Sequence, residues 1–198
     1  MLGSSLPSNL IADAGLSQLI IIDMQTRLVT AMSQDALQTA VKNTSILAQA
    51  AVLLAVPTII TEQYPAGLGH TVPELLALLP SVKPVEKISF SSMAEPKFNR
   101  QLTRDRSQVV LAGMEAHICV LQTALDLIAL ATSGEHESSK QVFVAEDAII
   151  SRNPANKANA IARMREAGCI ISNTESIVFE WLGKAEGDTF KVISKLIR

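Results

Sequence analysis

Three side chains that are far apart in the sequence have the types that covalent catalysis by a thiol requires. The first, Cys119, lies within residues 111–120, where a strand pattern stops at a glycine and an apolar helix pattern begins. A thiol at the N-terminus of a helix faces unpaired N–H groups and the positive end of the helix dipole. This setting predicts a lowered pKa for the Cys119 thiol and a nucleophilic thiolate. Taken alone, however, Cys119 is also typical of a small apolar core residue, because free cysteines are among the most buried side chains.

Asp23 and Lys87 favour the catalytic interpretation. Asp23 directly follows the apolar run 19–22, and Lys87 lies in the short strand pattern 85–88. A thiol nucleophile needs a proton acceptor, which Asp23 can provide. Lys87 can pair with Asp23 and place a positive charge beside the thiolate. The alternative is a buried pair that only stabilises the sheet, but desolvating both charges costs on the order of several kcal/mol. We therefore interpret Asp23, Lys87 and Cys119 as a functional trio.

Short apolar strand patterns alternate with helix patterns along the chain. Strands are predicted at residues 19–22, 57–61, 85–88, 107–112, 141–145 and 169–171. Helices are predicted at 35–55, 73–79, 95–104, 117–132, 154–167, 174–182 and 188–197. The alternation predicts an α/β fold with three α/β/α layers and a six-stranded, mostly parallel sheet. Because no linker or repeat divides the pattern, we expect a single domain over residues 1–198.

The predicted strand ends bring the polar residues of interest to one rim of the sheet. In parallel sheets, ligands bind beyond the carboxyl ends of the strands, at the point where the strand order reverses. Asp23, Glu62, Lys87, the segment 113–119 and the pair 146–147 each follow or end a predicted strand. No glycine-rich phosphate loop follows the first strand, so nucleotide binding has little support.

Composition excludes several classes of function. The chain has 198 residues, of which 18% are charged and 4% aromatic, and its formal net charge is -2. Nucleic-acid binding is disfavoured, because it needs a basic surface and aromatic side chains for stacking. The small share of charged residues favours a homo-oligomer (dimer, tetramer or larger) whose subunits cover part of the surface. Two cysteines form no disulfide framework, residues 1–18 lack a signal-peptide pattern, and the near-apolar run 47–60 is too short to span a bilayer. We therefore expect a cytoplasmic protein that has no membrane partner.

Three segments of the chain resemble the signatures of the isochorismatase-like cysteine hydrolases. They read IIDMQ at 21–25, EKISFS at 86–91 and AGMEAHICV at 112–120, in the order of the family. The resemblance extends from about residue 19 to residue 181. The patterns GMEAHIC at 113–119 and TEQYP at 61–65 are most similar to the isochorismatase domain-containing subgroup.

This resemblance implies a fold, a triad and a reaction. The fold is the α/β fold predicted above, and the triad is Asp23, Lys87 and Cys119. The family also has a cis peptide bond at the position of Met114–Glu115, which would let the backbone N–H groups of Glu115 and Cys119 form an oxyanion hole. The implied reaction is hydrolysis of a small amide, ureido, hydrazide or related carbonyl substrate through a thioester, without a cofactor.

The sequence departs from the family's metal-binding members. Nicotinamidases of this superfamily carry an Asp/His metal cluster, usually on the loop after the second strand. Here that loop contains His70 alone, and the other histidines are His117 and His136. We therefore expect no metal site, and nicotinamide is a poor candidate substrate.

Other residues near the rim are candidates for lining a substrate pocket. They are Gln25, Tyr64, Phe90, Ser91 and His117. Tyr64 and Phe90 are equally typical of packing residues. His117 is not expected to be the base for Cys119, because residues two apart on a helical turn do not face each other.

Two further interpretations stay open from the sequence alone. The first alternative is a catalytically weak binding or scaffold protein on the same fold. The second is a thiol redox sensor, although no second cysteine lies close to Cys119 in the sequence. At the rim, Asp147 and Arg152 are expected to pair and hold the loop after the fifth strand.

Overall fold

The computed structural model describes residues 10–132 and 140–197. Within these ranges six strands form one sheet in the order β3-β2-β1-β4-β5-β6. Every pairing is parallel, so the predicted fold is confirmed with a sheet that is wholly rather than mostly parallel. The strands are β1 (Ser17–Ile22), β2 (Thr58–Gln63), β3 (Val85–Lys87), β4 (Gln108–Met114), β5 (Gln141–Ile150) and β6 (Ile170–Ser172).

Helices connect the strands and cover both faces of the sheet. They are α1 (Gln34–Leu53), α2 (Pro65–Leu68), α3 (Pro73–Leu78), α4 (Pro96–Asn99), α5 (Leu121–Thr132), α6 (Pro154–Glu166), α7 (Thr174–Leu182) and α8 (Gly187–Leu196). Single 3-10 turns lie at Val29–Ala31 and Ser92–Ala94, and a π-helical turn at Ala116–Val120 leads into α5. Over the described part of the chain, no helix is both long and apolar enough to cross a membrane.

The central strand β1 divides the core into two layers. Leu19 and Ile21 pack on one face with α1, α3, α7 and α8, whereas Ile20 and Ile22 pack on the other face with α4, α5 and α6. All four side chains are fully buried, and such burial stabilises the fold by about 1.5–3 kcal/mol for each residue. A continuous apolar run is therefore what a strand covered on both faces requires.

The strand order reverses between β1 and β4, at the centre of the sheet. Gly113, near the end of β4, has a φ of 121°, and a Cβ atom there would lie 2.0 Å from the carbonyl oxygen of Ile22. Only glycine allows the two strand ends to approach this closely. The carboxyl end of β4 is thereby held against β1, directly beside Asp23.

Two regions differ from the sequence-based expectation. β5 continues to Ile150 through a register shift opposite residues 111–113 of β4, so Glu146 and Asp147 lie within the strand rather than after it. The helix predicted for residues 95–104 is limited to α4. The reason lies in Gln18, whose side-chain amide binds the backbone of Gln101 and Thr103 and turns the chain out of the helix.

Candidate active site

A fully buried ion pair lies at the carboxyl ends of β1 and β3. Lys87 Nζ is 2.7 Å from Asp23 Oδ2, and both side chains are 0% exposed. Asp23 has a φ of 51°, a left-handed conformation that aspartate tolerates better than most residues. The Thr61 hydroxyl donates a hydrogen bond of 2.7 Å to Asp23 Oδ1. The pair predicted from the sequence is therefore formed, with both carboxylate oxygens contacted.

The Lys87 ammonium is surrounded by oxygen atoms. Besides Asp23, it lies 2.7 Å from Gln63 Oε1, 3.0 Å from the Phe90 carbonyl and 3.3 Å from the Ser89 carbonyl. An ammonium has three protons to donate, so these acceptors occupy its full capacity. Lys87 is thus held as a fixed positive charge rather than as a free hydrogen-bond donor.

Sequence reasoning missed Thr61 and Gln63, the residues that orient the ion pair. Both lie at the end of β2, where Thr61 pairs with Ile22 and Gln63 pairs with Lys87 in parallel register. The signal was present in the pattern, because a strand between two site-bearing strands must also end at the rim. The exact register was needed to tell which of its residues face the site.

Cys119 lies in the π-helical turn and contacts both members of the ion pair. Burial and the neighbouring Asp23 charge raise the pKa of the Cys119 thiol to about 12, against the opposing effect of Lys87. The predicted lowering of the pKa is therefore wrong. The helix N-terminus and Lys87 were expected to lower the pKa, but burial of the thiol and the charge of Asp23 raise it by more. The resting thiol is therefore protonated and lies close enough to the Asp23 carboxylate for that charge to act on it.

This arrangement can transfer a proton over a very short path. The thiol of Cys119 lies beside Asp23, the acceptor that the chemistry needs. Lys87 stays next to both groups, so the positive charge stabilises either the carboxylate or the thiolate. The three residues singled out in the sequence are brought together by the structure.

The turn before Cys119 begins with a cis peptide bond. The bond joins Met114 to Glu115, at the position that the family resemblance implied. The Glu115 carbonyl accepts hydrogen bonds from the N–H groups of Ile118 at 3.0 Å and Val120 at 3.3 Å. The assignment of the Glu115 and Cys119 N–H groups to an oxyanion hole stays a prediction.

Two of the expected pocket residues use their polar atoms within the protein. The Gln25 amide donates to the carbonyls of Gln63 and Gly69 and accepts the Gln63 N–H at 2.7 Å. Ser91 Oγ donates to Asp126 at 2.5 Å and accepts the Met93 N–H at 3.3 Å. Gln25 therefore joins the end of β2 to the loop after it, and Ser91 caps a turn. That either side chain lines a substrate pocket stays a prediction.

The remaining pocket candidates lie at the surface of the rim. Tyr64 and Phe90 are about half exposed, and His117 is half-buried with Nδ1 2.9 Å from Ser151 Oγ. Tyr64 also borders a cleft of about 540 Å³ beside β3. The other residues lining that cleft are Pro65, Ala66, His70, Glu86, Lys87, Ile88, Glu95 and Lys97.

Glu62, which lies within β2 rather than after the strand, binds the loop that follows β2. Glu62 accepts the Thr71 N–H at 2.7 Å and the Thr71 hydroxyl at 2.8 Å, and it lies 3.0 Å from His70 Nδ1. Burial raises the pKa of Glu62, but the bonds from Thr71 and His70 outweigh burial and leave the pKa below its ordinary value. Within residues 10–132 and 140–197, no three His, Cys, Asp or Glu side chains are grouped to hold a metal ion. His136 lies outside the described residues.

The expected pairing of Asp147 with Arg152 is wrong. Asp147 Oδ1 accepts the N–H and the hydroxyl of Thr174, both at 2.8 Å, at the start of α7. Arg152 instead pairs with Glu115, whose Oε1 lies 3.4 Å from Arg152 Nε. The register shift within β5 separates the two residues, so that Asp147 serves one helix and Arg152 serves the Cys119 turn.

Comparisons with known proteins identify the family of the chain. The isochorismatase domain family matches residues 17–176. The chain is 36% identical over 182 residues to isochorismatase domain-containing protein 2 of Danio rerio, covering 91% of this chain and 86% of the relative. It is 39% identical over 168 residues to the secreted isochorismatase effector Isc1 of Phytophthora sojae, covering 82% and 76%. A solved structure of the MAR1 ribonuclease from Caenorhabditis elegans is 34% identical, covers 94% of this chain and 92% of its own, and superposes with a TM-score of 0.83. The chain therefore belongs to the isochorismatase family.

Proposed function

We propose that the protein is a metal-independent cysteine hydrolase that uses Asp23, Lys87 and Cys119 as its catalytic triad. Its substrate would be a small amide, ureido, hydrazide or related carbonyl compound. The observation that supports this function is the contact between a fully buried Asp–Lys ion pair and a buried thiol. A buried ion pair is a weak source of stability, so its position against a nucleophile favours a catalytic purpose.

The first half of the reaction forms a thioester. As Cys119 Sγ attacks the substrate carbonyl carbon, the thiol proton moves to the Asp23 carboxylate and the carbonyl oxygen becomes an oxyanion. When the oxyanion collapses, the C–N bond breaks and the Asp23 proton passes to the leaving nitrogen. The amine departs neutral, and the acyl group stays on sulfur.

The second half of the reaction restores the enzyme with one water molecule. Asp23, ionised again, accepts a proton from the water as its oxygen attacks the thioester carbon. The tetrahedral intermediate releases the carboxylic or carbamic acid, and the proton on Asp23 returns to Cys119 Sγ. No atom of the protein is consumed in the cycle.

Lys87 and two backbone N–H groups stabilise the charges that develop. Lys87 pairs with Asp23 before attack and lies next to the sulfur as negative charge forms. We assign the oxyanion to the N–H groups of Glu115 and Cys119, as the family resemblance implies.

The redox-sensor alternative receives less support from this site. A sensor cysteine reacts as a thiolate that is accessible to oxidants. Here burial and Asp23 raise the pKa of the Cys119 thiol to about 12, which leaves very little thiolate near neutral pH. A binding or scaffold function stays as the outcome expected if no substrate is turned over.

The function is tested by turnover of a panel of amides, ureas and hydrazides by the wild type, Cys119→Ala and Cys169→Ala. Cys169 is a matched control, because it is a second buried thiol whose pKa is raised by burial alone, without a contribution from Asp23 or Lys87. We expect Cys119→Ala to lower kcat by about three orders of magnitude or more, and Cys169→Ala to retain activity. Intact-mass spectrometry is expected to show an acyl adduct in the wild type and Cys169→Ala only.

Two results would contradict the proposal. Full turnover by Cys119→Ala would exclude a thiol nucleophile. Failure of the wild type to act on any compound of the panel would favour a binding protein.

An RNA oligonucleotide belongs in the panel, because the Caenorhabditis elegans neighbour is described as a ribonuclease. RNA cleavage that survives Cys119→Ala would point to different chemistry.

A further inference from the structure

Glu115 has a buried side-chain carboxylate, and the proposed reaction gives this carboxylate no role. Its side chain is 5% exposed, at the first residue of the turn that leads to Cys119. A carboxylate that loses its water needs hydrogen-bond donors from the protein. The neighbours of Glu115 therefore show what the carboxylate does.

Its donors come from the connection between β5 and α6. Glu115 Oε2 accepts the backbone N–H of Arg152 at 3.0 Å, and Oε1 lies 3.4 Å from Arg152 Nε. The Arg152 side chain is 58% exposed, so solvent weakens the charge pair. The backbone N–H is part of the main chain and provides the firmer restraint.

The backbone of Glu115 restrains the same turn from within. Its carbonyl oxygen accepts the N–H groups of Ile118 and Val120, the residues on either side of Cys119. Glu115 therefore restrains the turn internally through its carbonyl and attaches the turn to the β5–α6 connection through its side chain.

A second contact joins the same two segments. His117 Nδ1 lies 2.9 Å from Ser151 Oγ and 4.0 Å from Glu115 Oε2. Ser151 directly follows β5, and Arg152 comes next in the chain. The Cys119 turn is thus attached to residues 151–152 by two side chains, one of which is an anion.

We infer that Glu115 is a positioning residue whose carboxylate holds the Cys119 turn against the β5–α6 connection and so sets the place of the nucleophile. The consequence for turnover rests on the proposed function, whereas the consequence for the thiol does not. A turn held from two sides keeps Sγ beside Asp23 and Lys87, the geometry that proton transfer requires.

The test compares Glu115→Gln with Glu146→Gln, measuring turnover and the pH dependence of Cys119 alkylation by iodoacetamide. The glutamine keeps the size of the side chain but turns one acceptor into a donor, which faces a donor of Arg152. Glu146 is an exposed carboxylate on the adjacent strand and serves as the matched control.

In Glu115→Gln we expect a fall in kcat of about 10- to 100-fold, with KM nearly unchanged. We also expect the pKa of the thiol to move from about 12 towards its ordinary value of 9.0, because a looser turn admits water and separates Sγ from Asp23. Glu146→Gln should match the wild type in both measurements. Arg152→Ala, which keeps the backbone N–H, should give a smaller change of kcat and thiol pKa in the same direction. If Glu115→Gln does not fold, the result for Arg152→Ala tests the inference.

The two hypotheses fail in different ways. If Glu115→Gln only lowers Tm, while kcat and the alkylation profile match the control, Glu115 is structural and the inference is wrong. If the wild type turns over no substrate, the proposed function fails, and the alkylation profile alone then decides whether Glu115 positions the thiol.

Discussion

Asp23 has two effects on the nucleophile that oppose each other. It is the proposed acceptor for the thiol proton, yet its negative charge adds to the effect of burial and keeps the thiol of Cys119 protonated. Lys87 acts in the opposite direction and lowers the thiol pKa. The resting state is therefore a thiol beside its base, and we expect the nucleophile to be generated during attack rather than stored as a thiolate.

Removing the charge of Asp23 should separate these two effects. In Asp23→Asn the anion is lost and Lys87 stays, so the pKa of the Cys119 thiol should fall. We expect faster alkylation by iodoacetamide near neutral pH together with loss of turnover. Lys87→Met should raise the pKa further and slow the alkylation. Rates from intact-mass spectrometry as a function of pH test both signs, and Cys119→Ala shows how much labelling belongs to other sites.

A thiol in Asp23→Asn that alkylates no faster than the wild-type thiol would contradict this account. It would mean that burial alone suppresses ionisation and that Asp23 has little influence on the sulfur. Asp126→Asn is a suitable control for the charge change, because Asp126 bonds to Ser91 rather than to the triad.

Among the elements, the loop after β2 is held in place by polar contacts. Glu62 binds Thr71 through two hydrogen bonds and also contacts His70, while Gln25 binds the Gly69 carbonyl in the same loop. These contacts fold the loop back onto the ends of β1 and β2. The loop is thus held next to the residues that orient Lys87.

Glu62→Gln should destabilise the fold in a pH-dependent way. The folded-state pKa of Glu62 lies below 4.5, so its ionised form stabilises the fold above that pH. This contribution is lost as the pH falls through the folded-state pKa. We expect the free energy of unfolding to be lower by about 1–3 kcal/mol at neutral pH, and the difference to shrink below pH 4.5. Urea unfolding at both conditions measures it, and a difference that stays constant with pH would contradict the assignment.

At the scale of the molecule, apolar side chains remain uncovered near the rim. Ile88 is 70% exposed and Phe90 is 54% exposed, both just after β3 at the edge of the sheet. Only 18% of the residues are charged. Large apolar side chains at a sheet edge favour association, so we infer that the protein is a homo-oligomer.

Light scattering after size-exclusion chromatography should give a mass of two or more chains of 21.2 kDa each. Phe90→Lys should shift the population towards the monomer, because it places a charge among the apolar side chains. Val52→Lys, on the exposed surface of α1, introduces the same charge elsewhere and should have little effect. A monomer at every concentration would contradict the inference.

Much of the site could be predicted from the sequence because its residues are of unusual types for strand ends. An aspartate after a fully apolar strand, a lysine in a short strand and a cysteine after a glycine all stand out against their surroundings. Thr61 and Gln63 do not stand out, because threonine and glutamine are ordinary at a strand end. Their contacts with Asp23 and Lys87 follow only from the register of β2 with its neighbours.

Other features depend on contacts that no local pattern reveals. The direction of the Cys119 pKa shift depends on burial and on a charge 96 positions away in the sequence, given the numbering of Asp23 and Cys119. The length of β5 depends on a register shift against β4, which the apolar pattern of residues 141–150 does not show. The pairing of Arg152 with Glu115 instead of Asp147 depends on that same shift.

Gly113 has a consequence for how this sequence can vary. Its backbone conformation and its distance from Ile22 admit no side chain at all, whereas the neighbouring positions of β4 are ordinary buried sites. Among descendants of this gene, lineages could therefore exchange aliphatic residues along the strand while this one codon stays constrained to glycine. The constrained position is thus a glycine, which has no side chain of its own and lies next to the candidate active site.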